Sequence, residues 1–108
     1  MRTLQDVQQE VDHLIREEWQ NHYWHPLSML ARLTEEVGEL AREINHHYGE
    51  KPKKAEEEEN SIAAEIGDIF YIIAAMANSL DIDLDEAFSL VMDKYRQRDA
   101  MRWQADQA

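Results

Sequence analysis

Apolar residues recur at three- and four-residue steps in four stretches of the chain, separated by polar or charged breaks. Leu4, Val7, Val11, Leu14 and Ile15 make the first set and predict an amphipathic helix over residues 3–20, with Thr3 as its cap. NHYWHP follows, and Pro26 suits the first turn of a second helix, over residues 26–48. That helix carries Leu30, Leu33, Val37, Leu40 and Ile44 along one side, and Gly49 and Pro52 stop it. A third helix is predicted over residues 58–80, with Ile62, Ile66, Ile69, Ile73 and Leu80 as its stripe. DLDEAF opens a fourth over residues 84–102, where Asp83 caps and Glu86 stands three residues on, as in a capping box.

The third helix differs from the others. Tyr71, Ile72 and Ala75 leave little polar surface opposite its stripe, and a helix apolar nearly all round is buried on both sides. Four short helices rarely enclose one of their number, so this pattern predicts a subunit interface and a homodimer or dimer of dimers. The expected architecture is all-α, a four-helix bundle-like single domain over residues 1–108.

Composition narrows the reading. Three glycines and two prolines in 108 residues are too few for a barrel or sandwich of short strands. No cysteine is present, which excludes disulfides and thiolate metal sites and fits a reducing, cytoplasmic setting. A net charge of −12 repels nucleic-acid polymers, and an acidic protein that handles phosphates needs cations as intermediaries. The longest apolar run, IFYIIAAMA from Ile69 to Ala77, is far short of a membrane span. GEKPKKAEEEEN is a charged, low-complexity connector.

Candidate chemistry lies in two matching stretches, EVGEL from Glu36 and EIGDI from Glu65. With Glu36 at zero on its helical wheel, Leu40, Leu33 and Ile44 fall at about 40°, 60° and 80°, and Glu39 at about −60°. The wheel of Glu65 is the same, with Ile69, Ile62 and Ile73 in the stripe and Asp68 where Glu39 stood. Each acid pair therefore borders an apolar stripe, whereas Glu35 points away. Packing the two helices antiparallel through those stripes would gather four carboxylates, whose mutual repulsion a hard divalent cation relieves. An all-oxygen donor set selects Mg²⁺, with Mn²⁺ also suited, over zinc. Gly38 and Gly67 each weaken a helix by roughly 1 kcal/mol, and their equivalent placement suggests close helix approach.

These residues resemble the signature of the MazG-like all-α nucleoside triphosphate pyrophosphohydrolases, E-E-x-x-E followed on the next long helix by E-E-x-x-D. Glu35, Glu36 and Glu39 complete the first half; Glu65 and Asp68 match the second, and Ala64 replaces its first acid. The resemblance extends through SMLARLTEEVGELAREINHHYGEKPKK to the RDAMRW tail, like the short stand-alone bacterial members. It implies Mg²⁺-dependent hydrolysis of a nucleoside triphosphate, most naturally a deoxynucleotide, to the monophosphate and pyrophosphate in nucleotide-pool housekeeping. Glu36, Glu39, Glu65 and Asp68 would be metal ligands, with Glu36 also orienting or deprotonating the attacking water.

Substrate contacts are expected from Lys94, Arg96 and Arg98 on the last helix, and from Lys54 in the connector. The helix cations could equally complement the helix dipole. Some relatives use a lysine and an asparagine where this chain has Val91 and Tyr95. His22 and Trp24, flanking Tyr23, either stack on a base or anchor the loop to the core. Two rival readings use other residues. Glu10-x-x-His13 and Glu43-x-x-His46 fit a ferritin-like di-iron bundle, with Glu65 and Glu86 as further ligands. A non-catalytic helical adaptor would use the acidic edge as a binding surface.

Overall fold

The computed structural model describes residues 1–49, 61–98 and 102. Among them the structure is all-α, with four helices and no strand: α1 (Leu4–Asp12), α2 (Pro26–Tyr48), α3 (Ile62–Ser79) and α4 (Leu84–Arg98). Thr3 caps α1 through a reciprocal pair, its hydroxyl accepting from the Asp6 amide at 3.0 Å while the Asp6 carboxylate accepts from the Thr3 amide at 2.9 Å. Pro26 opens α2 behind His25, whose Nδ1 accepts from the Leu27 amide at 3.1 Å.

Two boundaries depart from the sequence pattern. The first helix does not continue as an α-helix to residue 20; His13–Glu18 form a π-helical stretch, with the Trp19 amide reaching back to the Leu14 carbonyl at 2.9 Å. Gln20 then takes a left-handed conformation, φ 50°, and turns the chain into the loop that leads to α2. The third helix starts at Ile62 rather than residue 58, because the Ser61 hydroxyl accepts from the Ala64 amide at 2.8 Å and fixes the cap there. α4 starts at Leu84 as expected, held there by Asp83, whose Oδ1 accepts from the Asp85 amide at 2.9 Å, and residues 99–101 of the predicted helix lie outside the described residues.

α2 packs along α3, α1 crosses α3, and α4 leans on α1. Val11, Ile15, Met29, Ala74 and Ala75 form the buried apolar centre. The apolar stripes are only partly covered: Leu33 and Leu40 on α2 and Ile62 and Ile69 on α3 are half-buried. Leu30, Val37 and Ile44 on α2, and Ile66, Phe70 and Ile73 on α3, remain exposed. The fully buried residues are Met29, Glu36 and Glu43 on α2 and Glu65, Ile72, Ala74, Ala75 and Ala77 on α3, with Glu36 facing Glu65. Steps of seven residues return to nearly the same angle on a helix, so Met29, Glu36 and Glu43 share one line along α2, as do Glu65 and Ile72 along α3.

Neither Gly38 nor Gly67 is required by close approach of the described helices, since a Cβ added to either would meet nothing within 4 Å. α3 is long and apolar enough, over 18 residues, to meet the length of a membrane span. Its inward face nevertheless carries buried Glu65 and packs on α1 and α2, as the central helix of a bundle does.

Candidate metal centre and adjoining aromatic pocket

Glu36 lies on the inner face of α2 and Glu65 on the facing side of α3, with 7% and 5% of their surfaces exposed. Asp68, one turn beyond Glu65, is at the mouth of the seam and exposed. One oxygen from each of Glu36, Glu65 and Asp68 lies within 4.8 Å of the other two. Two helices therefore converge three carboxylates on one point, in the antiparallel arrangement that also places Met29 beside Ile72 and Ala75. Glu39 is half-buried and stands outside that trio, although its charge reaches Glu65. Glu35 is exposed, as its angle on the wheel predicts.

The cluster is under electrostatic load. Burial holds the Glu65 carboxyl above its ordinary value of 4.5, and the charges of Glu36, Asp68 and Glu39 push the same way. Glu65 Oε2 is buried and receives no hydrogen bond. Glu36 pairs with the Arg32 guanidinium one turn earlier, at 3.1 Å, and also bonds with the Glu65 side chain. A carboxylate with a buried oxygen that no donor satisfies, facing two further carboxylates, is a donor set suited to a hard divalent cation.

The load gives a stability test. A carboxyl with a raised folded-state pKa contributes stability below its unfolded value, and that contribution is lost as pH rises through the folded value. In a chelator, thermal stability should therefore fall from about pH 4.5 toward neutrality more steeply in the wild type than in Glu65→Gln. Melting curves at successive pH values would count against this if the two slopes coincided.

Beside the carboxylates lies a pocket of about 290 Å³, lined by Trp19, His22, Tyr23 and Trp24 from the loop after the π-helical stretch, by Met29 and Arg32 from α2, and by Tyr71, Ile72 and Ala75 from α3. The predicted residues His22 and Trp24 are thus on its wall. Arg32 belongs to both features, lining the pocket while pairing with Glu36. Sequence reasoning passed over Arg32, although its spacing of four from Glu36 is the signal for a helical ion pair. Trp19 and Tyr71 were also missed as pocket residues; an aromatic motif alone does not tell which loop and helix meet.

The remaining predicted residues are elsewhere. Lys94 Nζ sits 5.2 Å from the Tyr95 ring centre and Arg96 pairs with Asp93 at 3.9 Å, both on the surface of α4. Arg98 is also exposed on α4, and Lys54 lies outside the described residues. Of the two motifs of the di-iron reading, the first is turned to other partners: Glu10 forms an ion pair with Arg2, His13 Nδ1 meets Glu18 at 3.2 Å, and both are exposed.

Comparisons with known proteins agree with the geometry. The MazG nucleotide pyrophosphohydrolase domain profile matches residues 25–103. The chain is 54% identical to the uncharacterized protein YpjD of Bacillus subtilis over 102 residues, which covers 94% of this chain and 91% of that protein. A crystal structure of B. subtilis YpjD superposes with a TM-score of 0.80 at 52% identity, covering 92% of this chain and 98% of the other. The Bacillus-conserved MazG protein, a nucleotide pyrophosphohydrolase, superposes with a TM-score of 0.75 at 47% identity, covering 92% and 95%. With the acidic signature on the two facing helices and a family profile that spans most of its length, the chain belongs to the MazG-like nucleotide pyrophosphohydrolases.

Proposed function

We propose that this protein, as one MazG-like domain over residues 1–108, hydrolyses a deoxynucleoside triphosphate to the monophosphate and pyrophosphate with Mg²⁺ as cofactor, in the cytoplasm. The observation that carries the reading is the convergence of Glu36, Glu65 and Asp68 oxygens within 4.8 Å, with Glu65 Oε2 left without a hydrogen bond. Glu36, Glu65 and Asp68 hold the metal, and Glu39 completes the cage from its half-buried position one turn along α2. When bound, Mg²⁺ or Mn²⁺ supplies charge neutralisation for the phosphates and for the charge that develops during cleavage.

The chain's own residues supply positioning. Glu36 orients the attacking water and accepts its proton, and Arg32 beside it supplies a positive charge between the carboxylates and the pocket. The half-exposed rings of Trp19 and Trp24, with His22, give a nucleoside flat surfaces to stack on. Lys94, Arg96 and Arg98 serve the phosphates from a second copy, because α4 makes its main contacts with α1. That arrangement accords with the apolar faces left exposed on α2, α3 and α4 and with a homodimer or dimer of dimers.

A pyrophosphate-release screen tests the reaction over canonical, deoxy, uracil-containing and oxidised triphosphates. Release is expected with Mg²⁺ or Mn²⁺ and none in a chelator. Orthophosphate as the sole product, or silence across the panel, would refute it.

A further inference from the structure

We propose that Tyr23 sets the shape of the nucleoside pocket, and that Asp12 and Asn78 are positioning residues that act through its hydroxyl. The inference rests on reading the aromatic pocket as the nucleoside site. Trp19 and Trp24 are each 59% exposed, so their own burial does little to locate the loop between the π-helical stretch and α2. Tyr23 is different. Its hydroxyl donates to Asp12 Oδ1 on α1 at 2.5 Å and accepts from Asn78 Nδ2 on α3 at 3.1 Å. Arg16 lies 5.2 Å from the centre of the ring, and its Nε donates to the same Asp12 oxygen at 2.9 Å.

The direction of these bonds is fixed from the far end. The Leu84 amide donates to Gln8 at 2.8 Å, so the acceptor must be the Gln8 carbonyl oxygen. Gln8 Nε2 then donates to the Ile82 carbonyl at 2.8 Å and to Asn78 Oδ1 at 3.0 Å. That leaves the Asn78 amide nitrogen to donate to the main-chain carbonyl of Gln8 at 2.9 Å and to Tyr23. Tyr23 can therefore pass its own proton only to Asp12. Burial, followed by the bond to Asp12, holds the phenol above its ordinary pKa and keeps that proton in place. The chain of bonds ties a pocket wall to α1, α3 and the first residue of α4, and includes none of Glu36, Glu65 and Asp68.

Tyr23→Phe keeps the ring and removes both anchors, Asp12→Ala removes the acceptor, and Asp12→Asn keeps an acceptor oxygen. With dATP, dCTP, dGTP and dTTP as probes, Tyr23→Phe and Asp12→Ala should raise KM about tenfold and narrow the spread of KM among the four bases. Their kcat should stay within about twofold, and Asp12→Asn should restore wild-type selectivity. Binding is read separately by titrating the α,β-imido analogue of each nucleotide against tryptophan emission, in a Trp103→Phe background so that Trp19 and Trp24 report. Unchanged KM and binding ratios in Tyr23→Phe, or identical behaviour of Asp12→Ala and Asp12→Asn, would overturn the proposal. Wild-type emission indifferent to every analogue would overturn the pocket assignment with it. Emission changes without pyrophosphate release would overturn the reaction alone and leave the binding comparison to decide Tyr23.

Discussion

Replacing Glu65 by glutamine should abolish turnover and at the same time make the metal-free protein harder to melt. The two effects have one origin. Glu65 is buried, receives no hydrogen bond at Oε2 and is pushed toward its protonated form by burial and by Glu36 and Asp68. A neutral amide removes the repulsion and the desolvation of a charge, so the melting temperature in a chelator rises by a few degrees. The same change removes an anionic oxygen from the proposed cage, and kcat/KM should fall by about a thousandfold. Asp68→Asn should lose a similar share of activity with little gain in stability, because Asp68 is exposed. Glu39→Gln should be milder, in keeping with its place outside the trio. Pyrophosphate release and melting in a chelator, measured on the same preparations, decide the matter. A Glu65→Gln protein that turns over normally would remove the metal-site assignment, and one that melts lower without metal would contradict the electrostatic account.

Phe88→Asp should break the assembly. α4 has no buried residue, and Phe88 and Leu90 on it are 57% and 65% exposed. Leu30, Val37 and Ile44 on α2 and Ile66, Phe70 and Ile73 on α3 add further uncovered apolar surface. So much large apolar surface on a small chain costs free energy in water and calls for a partner. Placing a carboxylate at a buried aromatic contact costs about 2–4 kcal/mol, which raises a dissociation constant by roughly 30- to 1000-fold. Light scattering at micromolar concentration should show the wild type as a dimer or dimer of dimers and Phe88→Asp as a monomer. A wild-type monomer would refute the interface. Because the α4 cations are proposed to act across it, the monomer should also lose phosphate affinity.

The helical content was legible because each helix carries its own start signal. Thr3, Pro26 and Asp83 are local features whose effect depends on the next few residues. The start of α3 was misplaced for the complementary reason: the acidic run before it suits a helix start by composition, but the Ser61 hydroxyl reaches the Ala64 amide and sets the boundary. The π-helical stretch was invisible, since an extra residue in a turn is stabilised by what it packs against, here a buried Ile15 and the loop beyond it.

Residue type and spacing in the sequence alone determined that acids repeat at matched positions on two amphipathic helices and that no thiolate can take part; the resemblance of those acids to the MazG-like signature supplied the expected chemistry. Those properties are periodic and local, and a helical wheel captures them. Only the tertiary structure decided which side of each wheel faces inward. It buried Glu36, Glu43 and Glu65 while leaving Leu30, Val37, Ile44, Ile66, Ile73 and Leu80 of the apolar stripes exposed and Leu33, Leu40, Ile62 and Ile69 half-buried, which the pattern of a single helix does not predict. It also decided that Arg32 joins the carboxylates to an aromatic pocket and that Tyr23 is held by residues far away in the chain. Burial and coordination are properties of facing surfaces, so a periodic pattern on one helix cannot fix them until its partner helices are in place.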